Sequence, residues 1–160
     1  MMSKQPNPEF LRRAIALATG NVTSGRGGPF GAVVVRDGVV VGEGANHVTC
    51  SNDPTAHAEV VAIRAAAEKL GTFLLAGCEL YTSCEPCPMC LAAAYWARVD
   101  AIYYGANAAD AARAGFDDAF LYGEIRKSQA ERSLPETQLL KDEAWTSFEA
   151  WIGSETKVKY

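Results

Sequence analysis

Two short runs constrain this chain more than anything else in it: His57-Ala58-Glu59 and Pro86-Cys87-Pro88-Met89-Cys90. Zinc takes imidazole nitrogen and thiolate sulfur in a tetrahedral shell, and a catalytic zinc leaves one position open to water. One histidine and two cysteines supply three protein ligands, which is the catalytic number. Cys87 and Cys90 stand three residues apart, so on a helix they share a face. Pro86 or Pro88 fits a first helical turn, where a missing N–H is not needed. A cysteine at a helix N-terminus is drawn toward the thiolate that a metal requires. His57 and Glu59 are two apart, the wrong spacing for one helical face. Side chains of a first turn nevertheless lean back toward the N-terminus and can converge ahead of it. Such a site needs two helix starts facing each other.

The competing arrangement is a closed structural zinc knot, or buried thiols with no metal. A closed shell wants a fourth ligand, and Cys84 is the only rival, through Cys84-x-x-Cys87-x-x-Cys90. If Cys84 ends a strand, its side chain need not face the metal. Glu59 is adjacent to the ligands without being needed as one. Zinc lowers the pKa of its water to near 7. Glu59 can take that water's proton and pass it to a ring nitrogen and then to a leaving amine. General acid–base steps of this kind contribute typically about 10²–10⁴-fold. The reaction class is hydrolytic release of ammonia from an amino-substituted heterocycle.

At 160 residues the chain is expected to form a single domain over residues 1–160. Its 49% hydrophobic and 21% charged residues are those of an ordinary globular protein. No apolar run approaches the ~20 residues of a membrane span, and no charged-then-apolar leader stands before Phe10. Five cysteines, three of them in one CxxCxxC, suit a reducing, cytoplasmic compartment better than a disulfide framework. The net charge is −4, and Arg12-Arg13 is the nearest thing to a basic cluster. That balance argues against a nucleic-acid substrate and for a small free one.

Along the chain, Asn7 is placed to cap a helix over Glu9 to Thr19, with Gly20 near its end. Gly25 to Gly31 lacks Gly-Lys-Ser/Thr and is no phosphate loop. Phe30 to Arg36 and Val39 to Glu43 are β-branched runs joined by Asp37-Gly38, a strong hairpin signal. After a polar loop, Asp53 or Thr55 is placed to cap the helix carrying His57 and Glu59, which ends near Leu70 with Gly71 as its stop. Cys78 to Ser83 reads as a third strand, Pro86 to Ala97 as the second metal-bearing helix, and Val99 to Tyr104 as a fourth strand parallel to the third. Ala106 to Arg113, a segment ending near Lys127, and Asp142 to Ile152 read as helices. The order implies a three-layer α/β/α domain. Trp96 reads as a core residue.

His-x-Glu followed by Pro-Cys-x-x-Cys is the signature of zinc-dependent nucleobase deaminases. Over nearly its whole length the chain resembles the bacterial guanine deaminases of the cytidine deaminase-like fold. The resemblance rests on Gly27 to Val33, Asn46, Thr49, Ser51 to Val60, Leu80 to Cys90, Tyr95 to Arg98, Ala114 to Asp118 and the terminal Tyr160. The metal motifs are shared by cytosine, nucleoside and tRNA-adenosine deaminases; Gly115-Phe116-Asp117-Asp118 and Tyr160 point to guanine. The resemblance implies an α/β fold with a five-stranded mixed sheet and one zinc per subunit on His57, Cys87 and Cys90. It makes Glu59 the proton shuttle, Asn46 a purine hydrogen-bonding residue and Phe30 a stacking surface. It also implies that Asp118 and Tyr160 complete guanine recognition. It further implies a homodimer that exchanges the segment from about 116 to 160, so that Asp118 and Tyr160 come from the neighbour.

The expected substrate is therefore a small purine base, converted from guanine to xanthine, with no nucleic acid or membrane as partner. Two alternatives stand beside it: a deaminase of cytosine, ammeline or tRNA adenosine, and a non-catalytic zinc-bound interaction module.

Overall fold

The structure is a computed structural model that describes residues 5–160. Asn7 caps the first helix, α1 (Pro8–Thr23), by accepting a hydrogen bond from the Glu9 N–H at 3.0 Å. The helix does not stop at Gly20. It runs one further turn, because that turn buries Asn21, and the chain reverses at Gly25 instead.

β1 (Gly31–Arg36) and β2 (Val39–Ala45) form the expected antiparallel hairpin. Asp37 and Gly38 both have positive φ, 50° and 76°, as a two-residue hairpin turn demands. A single helical turn, α2 (Val48–Ser51), interrupts the polar loop that follows. α3 (Ala58–Leu70) ends at Gly71, as expected, but its start differs from the expectation. His57 itself is the N-cap, while Asp53 caps the preceding turn by accepting from the Thr55 N–H at 2.8 Å.

β3 (Cys78–Cys84), α4 (Pro88–Ala97), β4 (Ala101–Ala106), α5 (Ala108–Arg113) and α6 (Asp118–Arg126) follow in order. The sheet order is β2-β1-β3-β4, with β1 antiparallel to both neighbours and β4 parallel to β3. The sheet thus has four strands and not five. Beyond Ala106 the described chain offers alanine-rich and charged helical segments and no further β-branched run, so nothing extends the β4 edge.

Both faces of the sheet are covered. Phe10, Leu11 and Leu17 of α1 pack over Val33, Val35 and Tyr81. Ala58, Ala62 and Ala66 of α3 and Ala94 and Ala97 of α4 pack with Val34, Val41 and Leu80 on the other side. This is the three-layer α/β/α arrangement. Gly44 shows how tight it is: a Cβ there would lie 2.2 Å from the Ala58 carbonyl oxygen. Trp96, expected in the core, is 59% exposed, because α4 turns it away from the sheet.

The chain divides into two compact units, one ending at Tyr122 and the other comprising Gly123–Tyr160. Within the second, Ser133 N–H donates to Glu124 at 2.7 Å and Arg132 pairs with Glu136 at 2.7 Å. Its helix α7 (Lys141–Gly153) buries none of its residues, and Trp145 stacks on Phe148 with ring centroids 5.5 Å apart. Among the described residues no helix is long and apolar enough to cross a membrane.

Candidate active site

The two helix starts meet as the motif spacing requires. His57 is the N-cap of α3 and Cys87 the N-cap of α4, both with extended backbone. Cys90, one turn into α4, lies beneath them and is fully buried. The Cys87 and Cys90 sulfurs each lie 3.5 Å from His57 Nδ1, and the three ligand atoms all fall within 4.8 Å of one another. A tetrahedral zinc with usual Zn–S and Zn–N lengths sets sulfur and nitrogen about 3.6 Å apart. The donor set fits zinc in both chemistry and spacing. It also identifies Nδ1 as the His57 ligand atom.

Charge at the cluster favours a cation. The hydrogen bond from Cys90, with that of His57, draws the Cys87 thiol well below its ordinary value, toward the thiolate. The same bond, with burial, holds the Cys90 proton on. The hydrogen bond to Cys87 raises the His57 imidazole above its ordinary value. Ligation needs both sulfurs as thiolates and the imidazole neutral, so metal loading releases protons.

Cys84 is no ligand. It ends β3, and its sulfur lies 3.8 Å from the Asn107 carbonyl oxygen. Burial pushes its thiol up to about 11. No fourth protein ligand completes the cluster among the described residues, which leaves the open shell of a catalytic site.

A cavity of about 280 Å³ opens beside the ligands. That is near the lower end of the roughly 300–1,000 Å³ common for small-molecule sites. His57, Glu59, Cys87, Phe30, Asn46 and Asp118 are all among its lining residues. Glu59 is 5% exposed, and burial holds its carboxyl above the usual carboxylate range, with the Cys87 charge acting in the same direction. A buried carboxyl beside the metal cluster is placed for general acid–base work. Asp118 is likewise raised, first by burial.

Of the residues expected from the sequence, seven come together here. Tyr160 belongs to the second compact unit, where it is 71% exposed. Asp118, the first residue of α6, is among the residues lining the cavity.

Four further residues receive no individual role from the sequence, although Phe116 stands in the Gly115-Phe116-Asp117-Asp118 run and Glu85 in the cysteine motif. Phe116 meets Phe30 edge-to-face, centroids 4.7 Å apart, and forms part of the cavity wall. Glu85 also lines the cavity and accepts from the Ala108 N–H at 2.9 Å, tying the metal loop to the start of α5. Tyr122 donates its hydroxyl proton to the Pro86 carbonyl at 2.7 Å. It stands four residues beyond Asp118, and that spacing, which puts both on one face of α6, is the one hint the sequence holds. Asn21, buried in the last turn of α1, bonds two loops at the cavity edge.

Compared with known proteins, residues 4–106 match the cytidine and deoxycytidylate deaminase zinc-binding region. The chain is 56% identical over 151 residues to the guanine deaminase of Bacillus subtilis (strain 168), covering 94% of this chain and 97% of that one. The X-ray structure of guanine deaminase from Bacillus subtilis aligns at a TM-score of 0.93 with 54% identity, over 98% of this chain and 99% of that one. The tRNA-specific adenosine deaminase of Agrobacterium fabrum (strain C58) is 50% identical over 79 residues, 49% of this chain and 52% of its own length.

Proposed function

We propose that this chain, which belongs to the family of deaminases built on the cytidine and deoxycytidylate deaminase zinc-binding region, hydrolyses guanine to xanthine and ammonia. The observation that carries the reading is one small cavity in which a three-ligand metal cluster, a buried carboxyl and a set of base-sized walls converge. The relative matching nearly the full length, second half included, is a guanine deaminase. The adenosine-specific relative matches only about half.

His57, Cys87 and Cys90 hold the zinc, one per subunit, which when bound supplies a Lewis acid that lowers the pKa of water to about 7. With zinc held there, Glu59 would take one proton from the attacking water and give it to the ring nitrogen beside the amino-bearing carbon as the water oxygen bonds to that carbon. Glu59 would then carry the proton of the newly added hydroxyl to the amino group, so that the carbon–nitrogen bond breaks, the oxygen stays on the carbon as a carbonyl and ammonia leaves. Phe30 stacks on the purine, with Phe116 fixing the tilt of its ring. Asn46 hydrogen-bonds the base, and Asp118 accepts from guanine N–H groups. A pocket built to pair these groups rejects rings that lack them by large factors, because its own polar atoms are then left unpaired.

The working assembly in this reading is a homodimer in which the C-terminal segment, within residues 116–160 but beyond Asp118, crosses to the neighbour and brings Tyr160 over its cavity. The exposed Trp145, Phe148, Ile152 and Tyr160 support this, since an apolar surface of that kind marks an interaction site. The compartment is cytoplasmic: all five cysteines are free, and both ligand thiols need to remain reduced.

The test is ammonia release by zinc-loaded protein from guanine, cytosine, adenine and ammeline. Guanine is expected to be turned over with the highest kcat/KM. Turnover of another ring with guanine untouched would replace the substrate, and silence on all four would replace the function.

A further inference from the structure

Asn21 lies in the last turn of α1 and takes no direct part in the chemistry at the metal. Its side chain is 3% exposed, and its Nδ2 donates two hydrogen bonds. One goes to the Gly28 carbonyl at 2.9 Å and the other to the Asn46 carbonyl at 2.8 Å. Both partners are acceptors only, so the orientation of the amide is fixed by chemistry. The Asn21 backbone carbonyl accepts in turn from the Arg26 N–H and the Ser24 hydroxyl, both at 3.1 Å.

These bonds converge on the two loops that carry the base-facing residues. Gly28 and Asn46 line the cavity, and Phe30 follows Gly28 by two residues. Phe30 N–H donates to the Gly28 carbonyl at 2.9 Å, and Asn46 N–H donates to the Phe30 carbonyl at 3.1 Å. Asn46 Oδ1 is held by the Val48 N–H at 3.3 Å, which sets the side chain's orientation at the cavity. The loops also touch too closely for a side chain between them: a Cβ on Gly27 would lie 2.3 Å from the Asn46 carbonyl and 2.9 Å from Asn21 Nδ2. Nothing in this network reaches the metal ligands or Glu59.

We propose that Asn21 is a positioning residue for the substrate: its amide clamps the Gly28 and Asn46 loops together and so sets the gap between the Phe30 ring and the Asn46 side chain. The clamp acts on binding of the heterocycle and leaves the proton-transfer machinery alone. This rests on the reading that Phe30 and Asn46 hold the substrate base.

Asn21→Asp keeps the size and turns both donors into acceptors facing carbonyl oxygens. Asn21→Leu removes the donors without adding charge. KM and kcat for guanine, zinc content and amide hydrogen exchange are measured for both variants and for wild type. The clamp predicts KM raised about 10-fold or more, the Asp variant above the Leu variant, with kcat within about 3-fold and one zinc retained. Exchange should quicken in residues 26–31 and 45–49, with α3 and α4 unchanged. If Asp prevents folding, the Leu variant carries the comparison. An unchanged KM, or a fall in kcat with loss of zinc, would overturn the proposal. Should wild type leave guanine untouched, the substrate reading fails and not the clamp: the exchange pattern still decides whether Asn21 holds both loops.

Discussion

Cys84 and Cys87 carry the same side chain three residues apart and are chemically opposite. Cys84 ends a buried strand, faces a carbonyl and keeps its proton, with its thiol pushed up to about 11. Cys87 caps α4 beside His57 and is drawn down to about 4, chiefly by the Cys90 hydrogen bond. Replacement by serine separates them. Cys87→Ser or Cys90→Ser should purify with well under one zinc per chain, because each removes one of three ligands. Cys84→Ser should retain one zinc and lose about 1–3 kcal/mol of stability for a hydroxyl in a thiol's buried place. Metal analysis and thermal unfolding check both, and zinc loss from Cys84→Ser would mean a four-ligand shell. His57, Glu59, Cys87 and Cys90 are legible from residue identity alone, since few other chemistries need those types at that spacing. Phe116 and Asn21 are not legible in that way. Phenylalanine and asparagine have many ordinary uses, and only their distant partners, Phe30 and the Gly28 and Asn46 carbonyls, single them out.

At the scale of elements, the site depends on how closely α3 lies on β2. Gly44 sits opposite the first residue of α3, directly after the ligand His57, and its missing Cβ leaves room for the Ala58 carbonyl. Gly44→Ala places an atom 2.2 Å from helix backbone, which cannot yield as a flexible side chain would. The expected cost is about 1–3 kcal/mol or more, together with faster zinc loss to a chelator as the α3 start shifts. Gly20→Ala is the control. Gly20 lies inside α1 with nothing within 4 Å of an added Cβ, so the change should be neutral or stabilise by about 0.5–1 kcal/mol. Equal losses from both variants would contradict this account of the packing. Propensity and turn chemistry make the hairpin at Asp37-Gly38 and the stop at Gly71 readable. They misjudge the end of α1, because a buried Asn21 outweighs a glycine's helix-ending tendency. They misplace the cap of α3, because Asp53 serves a nearer turn. The fifth strand is an inference from likeness and not from a β-branched run, and it is absent from the sheet.

For the whole molecule, the proposed dimer makes a prediction that no single chain can satisfy. If Tyr160 acts on the neighbour's cavity, Glu59→Ala and Tyr160→Ala chains, each impaired alone, should recover activity when unfolded and refolded together. One mixed dimer then holds a site with Glu59 from one chain and Tyr160 from the other. If Tyr160 acts within its own chain, mixing restores nothing. The second unit supports exchange through its exposed aromatic residues, a pattern whose purpose composition alone does not separate from core packing. The central claim is narrower than the assembly: the metal cluster and Glu59 together deaminate guanine. It is tested most directly by following conversion of guanine to xanthine by zinc-loaded wild type and Glu59→Ala at equal zinc content. The account predicts xanthine and one equivalent of ammonia from wild type, and a rate lower by about 10²–10⁴-fold from Glu59→Ala with its zinc intact. Glu59→Ala turning guanine over at the wild-type rate, or zinc-loaded wild type leaving guanine unchanged, would contradict it.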